Sequence, residues 1–166
     1  MIFETKRLQV RKLQIADLKS FYELESNPNV LKYATGEPKN LKESEEDLLQ
    51  LINRYDNPDN DFWIYTIECK EDNIFIGTVA LIKDEEGNDE IGYRFIEQFW
   101  GNGYATEICE GLIDYCKSIG IKKIIGCVVD VNVASAKILK RFNFEEIEKF
   151  VSDDIGLPET KYELIL

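Results

Sequence analysis

Two glycines, Gly101 and Gly103, lie between an apolar strand-like run and the opening of an amphipathic helix. Small residues at such a junction allow several backbone N–H groups to approach an anion closely, and the N-terminus of the following helix adds a favourable dipole. The run from Gln98 to Thr106 therefore predicts a cradle for a phosphate group.

The chain contains no histidine. Catalysis by a serine–histidine or cysteine–histidine pair is excluded, and so is metal binding through imidazole. Any proton transfer must use carboxylates, tyrosine, lysine, cysteine or water. No metal site is predicted, and the cysteines, which form no C-x-x-C pair, are interpreted as reduced thiols used as small core residues. These are Cys69, Cys109, Cys116 and Cys127.

Three kinds of phosphate-binding loop are weighed against the glycine pair. A Walker loop requires Gly-Lys followed by Ser or Thr, and that sequence does not occur. A dinucleotide fingerprint requires a third glycine and an acidic residue about 20 positions later, but position 106 is threonine and Asp130 comes too late. The third kind is a site for the pyrophosphate of coenzyme A.

Two motifs give this third interpretation a family resemblance. Gln98-Phe-Trp-Gly-Asn-Gly103 is similar to the Q/R-x-x-G-x-G/A acyl-CoA motif of the GNAT N-acetyltransferases. The longer string from Trp100 to Glu107 resembles the branch that includes the ribosomal-protein N-terminal acetyltransferases. Asn132-Val-Ala-Ser135, followed by Leu139 and Phe142-Asn-Phe144, resembles the second motif of the family.

The resemblance implies how acetyl-CoA binds as the co-substrate. The strand ending near Phe95 and Ile96 would splay from a parallel neighbour, and acetyl-CoA would enter the gap. Backbone amides from Gln98 to Tyr104 would hold the pyrophosphate, and an N–H near Phe95 or Ile96 would polarise the thioester carbonyl. The residues expected to bind acetyl-CoA are Phe95, Ile96, Gln98, Trp100, Gly101, Asn102, Gly103, Tyr104, Ala105, Thr106, Asn132 and Ser135.

The same resemblance suggests catalytic and acceptor-side residues. Glu90, at the start of the strand before the loop, is expected to accept the proton of the amine, although a plain surface charge explains it as well. Ser135 could assist catalysis through water, or could cap its helix or contact CoA. The tyrosine that protonates departing CoA in many family members is replaced here by Leu139. Tyr33 and Trp100, with Glu90, are expected to line the acceptor side.

The elements that must position these residues follow from hydrophobic periodicity. The predicted order is a strand, two helices, three hairpin-linked strands, and then helix, strand, helix, strand, strand. The strand–helix–strand unit across Gly101 requires one parallel pair in an otherwise antiparallel sheet. The expected fold class is α/β (mixed α+β), and the family resemblance implies the GNAT fold in particular. It would form one domain over residues 1–166, with about six or seven strands, one splayed parallel pair and flanking helices.

Composition limits the partners. The net charge of -12 argues against nucleic acid, and no apolar run approaches the roughly 20 residues of a membrane span. The N-terminal residues lack the apolar stretch of a signal peptide, so a cytoplasmic protein is expected.

The predicted function is transfer of acetyl from acetyl-CoA to a primary amine, first a peptide or protein N-terminus and next an aminoglycoside or polyamine. The alternative is a non-catalytic acyl-CoA-binding or sensing domain, and a monomer and a homodimer both remain open.

Overall fold

The computed structural model describes residues 1–34 and 37–166 of the chain. One eight-stranded sheet is flanked by five α-helices in this described part. The strands are β1 (Phe3–Glu4), β2 (Leu8–Lys12), β3 (Phe62–Cys69), β4 (Phe75–Lys83), β5 (Asp89–Phe95), β6 (Lys123–Val129), β7 (Glu145–Val151) and β8 (Pro158–Ile165). The helices are α1 (Leu18–Ser26), α2 (Pro28–Leu31), α3 (Leu41–Arg54), α4 (Tyr104–Ser118) and α5 (Val133–Arg141).

The sheet has the order β1-β2-β3-β4-β5-β6-β8-β7, and every neighbouring pair is antiparallel except β5 with β6. That parallel pair is short, because only Asp89 and Glu90 of β5 are in register with Ile124 and Ile125 of β6. Beyond these residues the two strands diverge. The predicted mixed sheet with one splayed parallel pair is confirmed, but the predicted strand count was too low, because the two-residue strand β1 is too short to show any periodicity.

Two apolar layers enclose the sheet. On one face, α4 and α5 cover a core that includes Ile108, Leu112 and Leu139, together with side chains from six strands. On the other face, α1 and α3 pack Phe21 and Leu48 against the sheet. Because side chains alternate along a strand, β3 and β4 contribute to both cores.

Helix ends follow the local chemistry in most places. The Asn132 side chain accepts a hydrogen bond from the backbone N–H of Ser135 at 3.3 Å, and Gly120 and Asn143 take the left-handed conformation after α4 and α5. Two positions differ from what the sequence pattern predicts. Asp17 stands just before α1, where it is expected to act as a cap, but its side chain does not cap the helix because its carboxylate pairs with Arg11 at 2.8 Å. Helical periodicity places Leu49 inside, but it is 39% exposed because it lies on the outer side of α3.

Among residues 1–34 and 37–166, no helix combines the length and the apolar content that crossing a bilayer requires.

Candidate active site

The glycine loop connects the end of β5 to the start of α4. A short 3₁₀ turn over Glu97–Phe99 reverses the chain, and Gly101 and Gly103 then adopt φ angles of 77° and 78°. Residues with side chains rarely adopt these left-handed angles. The consequence is a sequence of six backbone N–H groups, residues 101 to 106, that have no hydrogen-bond acceptor among the described residues. These amides are available to a ligand that carries several anionic oxygen atoms.

Side chains of the loop fix its shape. The indole N–H of Trp100 donates to the carbonyl oxygen of Phe95 at 2.8 Å, and the side-chain amide of Asn102 donates to the carbonyl oxygen of Phe99 at 2.9 Å. Both contacts are local, so the loop conformation is encoded within a few residues. They also leave the backbone amides of the loop free.

The first residues of the chain support the loop from outside. Arg7 donates to the carbonyl oxygen of Asn102 at 3.0 Å, pairs with Glu107 at 2.6 Å, and lies 4.5 Å from the ring centre of Tyr104. Thr5 donates to the same Glu107 carboxylate at 2.6 Å. The sequence analysis did not assign this supporting role, because residues so distant along the chain give no local signal for it.

Two cavities meet beside the loop. The first, called the loop cavity, has a volume of about 580 Å³ and lies over the glycine loop and the first turn of α4. The second, called the strand cavity, has a volume of about 570 Å³ and lies along β5 where it parts from β6. The residues that line both cavities, and so mark their junction, are Tyr33, Ala34, Tyr93, Arg94, Asn132 and Ser135.

Most residues predicted to bind acetyl-CoA line the loop cavity. These are Phe95, Trp100, Gly101, Gly103, Tyr104, Ala105, Thr106, Asn132 and Ser135. Gln98 is exposed outside it, Ile96 is buried in the core at 3% exposure, and the Asn102 side chain is turned towards loop carbonyls. Trp100, predicted for the acceptor side as well, lines the loop cavity and not the strand cavity. Tyr33 lies at the junction.

The hydrogen-bond pattern of β5 distinguishes the two amides considered for the thioester carbonyl. The N–H of Ile96 donates to the carbonyl oxygen of Ile76 at 2.9 Å, so it points towards β4. In an antiparallel pair, N–H directions alternate along the strand, and the N–H groups of Tyr93 and Phe95 therefore point towards β6. Because β6 has diverged at that level, these N–H groups face the gap. Phe95, and not Ile96, has an N–H in a position to polarise a carbonyl there.

Glu90 is the last residue of β5 in register with β6, and it lines the strand cavity. Burial raises the pKa of its carboxyl group, and the negative charge of Asp84 adds to the rise, while Cys127 and Lys161 oppose it. Cys127 follows two positions after Ile125, the register partner of Glu90, so both side chains lie on one face of the sheet. The carboxyl group is thus partly withdrawn from water at the edge of a cavity, as a general base requires.

The strand cavity is predominantly negative. Its carboxylates come from Glu85, Glu90, Asp154 and Glu159, whereas its guanidinium, that of Arg94, already pairs with the buried Glu25 at 2.6 Å. The acidic turn between β4 and β5, residues 84–89, has the composition of a solvated turn. It folds against β8, since Lys161 contacts Glu86 at 3.1 Å and Asp84 at 3.6 Å. This contact holds Glu85 beside the cavity. Such a cavity favours a cationic ligand.

Asn132 and Ser135, at the start of α5, bring polar groups to the junction of the cavities, whereas Leu139, further along the helix, is apolar. The Asn132 side-chain amide donates to the Ser135 hydroxyl oxygen at 3.1 Å, and both residues line the two cavities. Leu139, one turn further along, is 4% exposed and packs on Gly126, where an added Cβ would lie 3.1 Å from the leucine Cδ1. Tyr93 of β5 faces Ser135, and the sequence analysis missed it because an aromatic residue in a strand is usually part of the core.

The described part of the chain contains no group of three or more acidic or cysteine side chains arranged to hold a metal ion.

A mixed sheet that opens at one parallel pair, beside a glycine loop with free amides, defines the class of acetyl-CoA-dependent acetyltransferases. The profile of the acetyltransferase (GNAT) domain matches residues 7–145. The chain therefore belongs to the GNAT acetyltransferase family, as the sequence motifs indicate.

Relatives and solved structures agree with this assignment. An uncharacterized N-acetyltransferase of Bacillus licheniformis, p20, is 33% identical over 147 residues, which cover 86% of this chain and 81% of that protein. A ribosomal-protein alpha-N-acetyltransferase solved with coenzyme A has a TM-score of 0.82 at 17% identity, covering 98% of this chain and 96% of its own. Spermidine N-acetyltransferase from Vibrio cholerae, solved with CoA and spermine, has a TM-score of 0.81 at 21% identity, covering 96% and 95%. At these identities the two structures show the shared fold.

Proposed function

We propose that this protein transfers the acetyl group of acetyl-CoA to a primary amine, with a peptide or protein N-terminus as the preferred acceptor and a small amine such as an aminoglycoside or polyamine next. The observation that carries the proposal is the junction of the two cavities at one set of residues. A donor in the loop cavity and an acceptor in the strand cavity would meet there, so that the amine attacks directly in a ternary complex.

The loop cavity suits the donor. Its six free N–H groups, residues 101 to 106, would bind the pyrophosphate of acetyl-CoA, which supplies an acetyl group activated as a thioester. The N–H of Phe95 would hydrogen-bond the carbonyl oxygen where negative charge develops, a contribution of about 2.7–4 kcal/mol in comparable sites. Asn132 would orient the pantetheine arm, either directly or by holding Ser135.

The strand cavity suits the acceptor. A primary amine is protonated in water and must lose a proton before it can attack, and Glu90 is the partly buried carboxyl group beside the gap. The other carboxylates of the cavity attract the cationic form of the amine. Gly92, between Glu90 and Arg94, leaves space along the strand, since a Cβ there would meet only the Ala80 Cβ at 3.8 Å.

The choice of a peptide N-terminus rests on similarity. The motif string from Trp100 to Glu107 resembles the ribosomal-protein branch, and a solved enzyme of that type shares the fold at a TM-score of 0.82. A spermidine N-acetyltransferase shares it nearly as closely, at a TM-score of 0.81, so small polyamines are the second acceptor class.

One assay tests the proposal. We would first measure the shift in Tm with acetyl-CoA, CoA, NAD and ATP, and then follow thiol release with saturating acetyl-CoA and a panel of amines. The panel contains short peptides with free and with acetylated N-termini, polyamines and aminoglycosides. Stabilisation by acetyl-CoA with thiol release on free N-termini supports the proposal. Stabilisation with no release on any amine would support the non-catalytic acyl-CoA-binding alternative, and release on polyamines alone would change the acceptor class.

A further inference from the structure

Tyr93 lies where the two cavities meet, on the side of β5 that faces α4 and α5. It lines both cavities and packs against the core under those helices, with its ring centre 6.2 Å from that of Phe95. Since side chains alternate along the strand, Glu90 and Tyr93 project from opposite faces. Two groups able to exchange protons thus flank the point at which β5 leaves β6.

The hydroxyl group of Tyr93 lies beside α5. The Asn132 side-chain amide donates to the Ser135 hydroxyl at 3.1 Å. The Ser135 side chain is near enough to the Tyr93 phenol to lower its pKa. Burial raises the pKa of Tyr93 well above its usual range, and the contact with Ser135 reduces that rise only in part. The phenol therefore keeps its proton at neutral pH and is available as a donor.

The position at which many relatives carry a proton donor is apolar here, so any donor to the sulfur atom must be another residue. Leu139 carries no proton and is packed on Gly126. Tyr33 also lines both cavities, but it lies in the turn after α2 and its ring carries the Lys32 ammonium at 5.1 Å from the ring centre. Tyr93, in contrast, lies on the strand whose Phe95 N–H faces the gap.

We propose that Tyr93 donates the proton to the sulfur atom of departing coenzyme A, with Ser135 fixing the phenol in place. This assignment rests on the proposed function. Glu90 first accepts one proton from the ammonium form and releases it to solvent. The neutral amine nitrogen then forms a bond to the carbonyl carbon and gives a second proton to Glu90, the carbon–sulfur bond breaks with both electrons going to sulfur, and the Tyr93 O–H proton moves to that sulfur. The phenolate regains a proton from solvent through Ser135, and Glu90 releases its proton to solvent, so that each turnover moves one proton from nitrogen to sulfur.

The test compares Tyr93→Phe with wild type in the thiol-release assay. We expect kcat to fall by about 100-fold, the usual effect of removing a general acid, while the Kd for acetyl-CoA and the KM for the amine stay within about threefold. The solvent deuterium isotope effect on kcat should also become smaller, because sulfur then leaves without proton transfer and only the transfer to Glu90 remains. A purely structural role of Tyr93 would change Kd or Tm and leave the isotope effect as it is.

Two further variants make the test specific. Tyr115→Phe removes the hydroxyl of another half-buried tyrosine outside both cavities and should keep kcat within about twofold. Tyr33→Phe removes the other phenol at the junction. Full kcat in Tyr93→Phe, or a loss of kcat found in Tyr33→Phe instead, overturns the assignment. Wild-type turnover in the same assay reports on the proposed function separately, since absence of thiol release with every amine would reject that function whatever the variants show.

Discussion

The loop cavity and the strand cavity differ in how the chain builds them. The glycine loop contributes backbone N–H groups from six consecutive residues, and the side chains of Trp100 and Asn102 hydrogen-bond to carbonyls within five positions. The strand cavity collects side chains from distant parts of the chain, such as Glu90 on β5, Cys127 on β6 and Glu159 on β8. The first is a property of a short sequence, whereas the second exists only after the sheet has formed.

The difference separates recognition of the donor from recognition of the acceptor. Backbone amides bind the same phosphate groups whatever the neighbouring side chains are, so a loop of this kind serves one donor. Side chains in the strand cavity can change one at a time without disturbing that loop. We expect substitutions in the two cavities to affect different kinetic constants, and four predictions test this.

The largest effect is expected in the strand cavity. Glu90→Gln keeps the shape of the side chain but removes the base, so kcat should fall by about 10²–10⁴-fold while the Kd for acetyl-CoA stays unchanged. Steady-state thiol release and a binding titration measure the two quantities. Asp89→Asn, a neighbour whose carboxylate pairs with Lys83 at 2.7 Å, is the matched control and should retain activity. Equal loss in both variants would contradict the assignment of the base.

The raised pKa of the Glu90 carboxyl group makes turnover and the free energy of unfolding change in opposite directions with pH. Because burial raises its pKa from 4.5, wild-type turnover should increase as the pH rises through that raised value and the carboxylate forms. Over the same range the folded state holds the proton more tightly than the unfolded state, so the free energy of unfolding should decrease as pH rises. Glu90→Gln should lack this decrease, and Tm measured across pH checks it.

An intermediate effect is expected in the glycine loop. Gly103→Val places a branched side chain at φ 78° in the cradle, so the Kd for acetyl-CoA should rise by about 10–100-fold. Gly120→Val is the control, since its φ of 86° imposes similar backbone strain after α4, away from both cavities. The two variants should lose similar amounts of Tm, and only the loop variant should lose affinity. Equal Kd values in a titration would reject the cradle.

The smallest effect on catalysis concerns Glu25, which is 3% exposed and pairs with Arg94 at 2.6 Å and Lys39 at 3.4 Å. Glu25→Gln removes the charge that both cations face and should lower the free energy of unfolding by about 1–3 kcal/mol. In Tm this is a drop of roughly 3–10 °C. The KM for the amine should rise only a few-fold, because Arg94 remains in the strand cavity.

The control for Glu25→Gln is Glu46→Gln, which removes an exposed carboxylate 3.9 Å from Lys42. A surface pair of this kind contributes little, so Tm should stay within about 1–2 °C of wild type. Equal Tm values for the two variants in a thermal melt would show that the buried pair does not support β5.

The sequence predicted what is encoded locally. The motif from Gln98 to Gly103 depends on neighbouring residues and lies where the pattern indicated. The cap at Asn132 and the left-handed Asn143 are equally local, because the residues at each helix end are sufficient to predict them. The supporting contact of Arg7 with Glu107 joins residues 100 positions apart and could not be predicted from either segment. Tyr93 was missed for the same reason, since the helix that gives its hydroxyl a partner comes 40 residues later.

The short parallel pairing has a mechanical consequence. Only Asp89 and Glu90 of β5 are in register with β6. The sheet therefore consists of two plates, one formed by β1 to β5 and the other by β6, β8 and β7, and these two residues are the seam that joins them. The amides beyond the seam lack partners in the neighbouring strand, so the plates can open as separate cooperative units in hydrogen exchange. A ligand that occupies the gap beyond the seam takes the place of the absent strand pairing. Binding of acetyl-CoA would therefore slow hydrogen exchange at amides on both plates together, including amides far from the atoms that the ligand contacts.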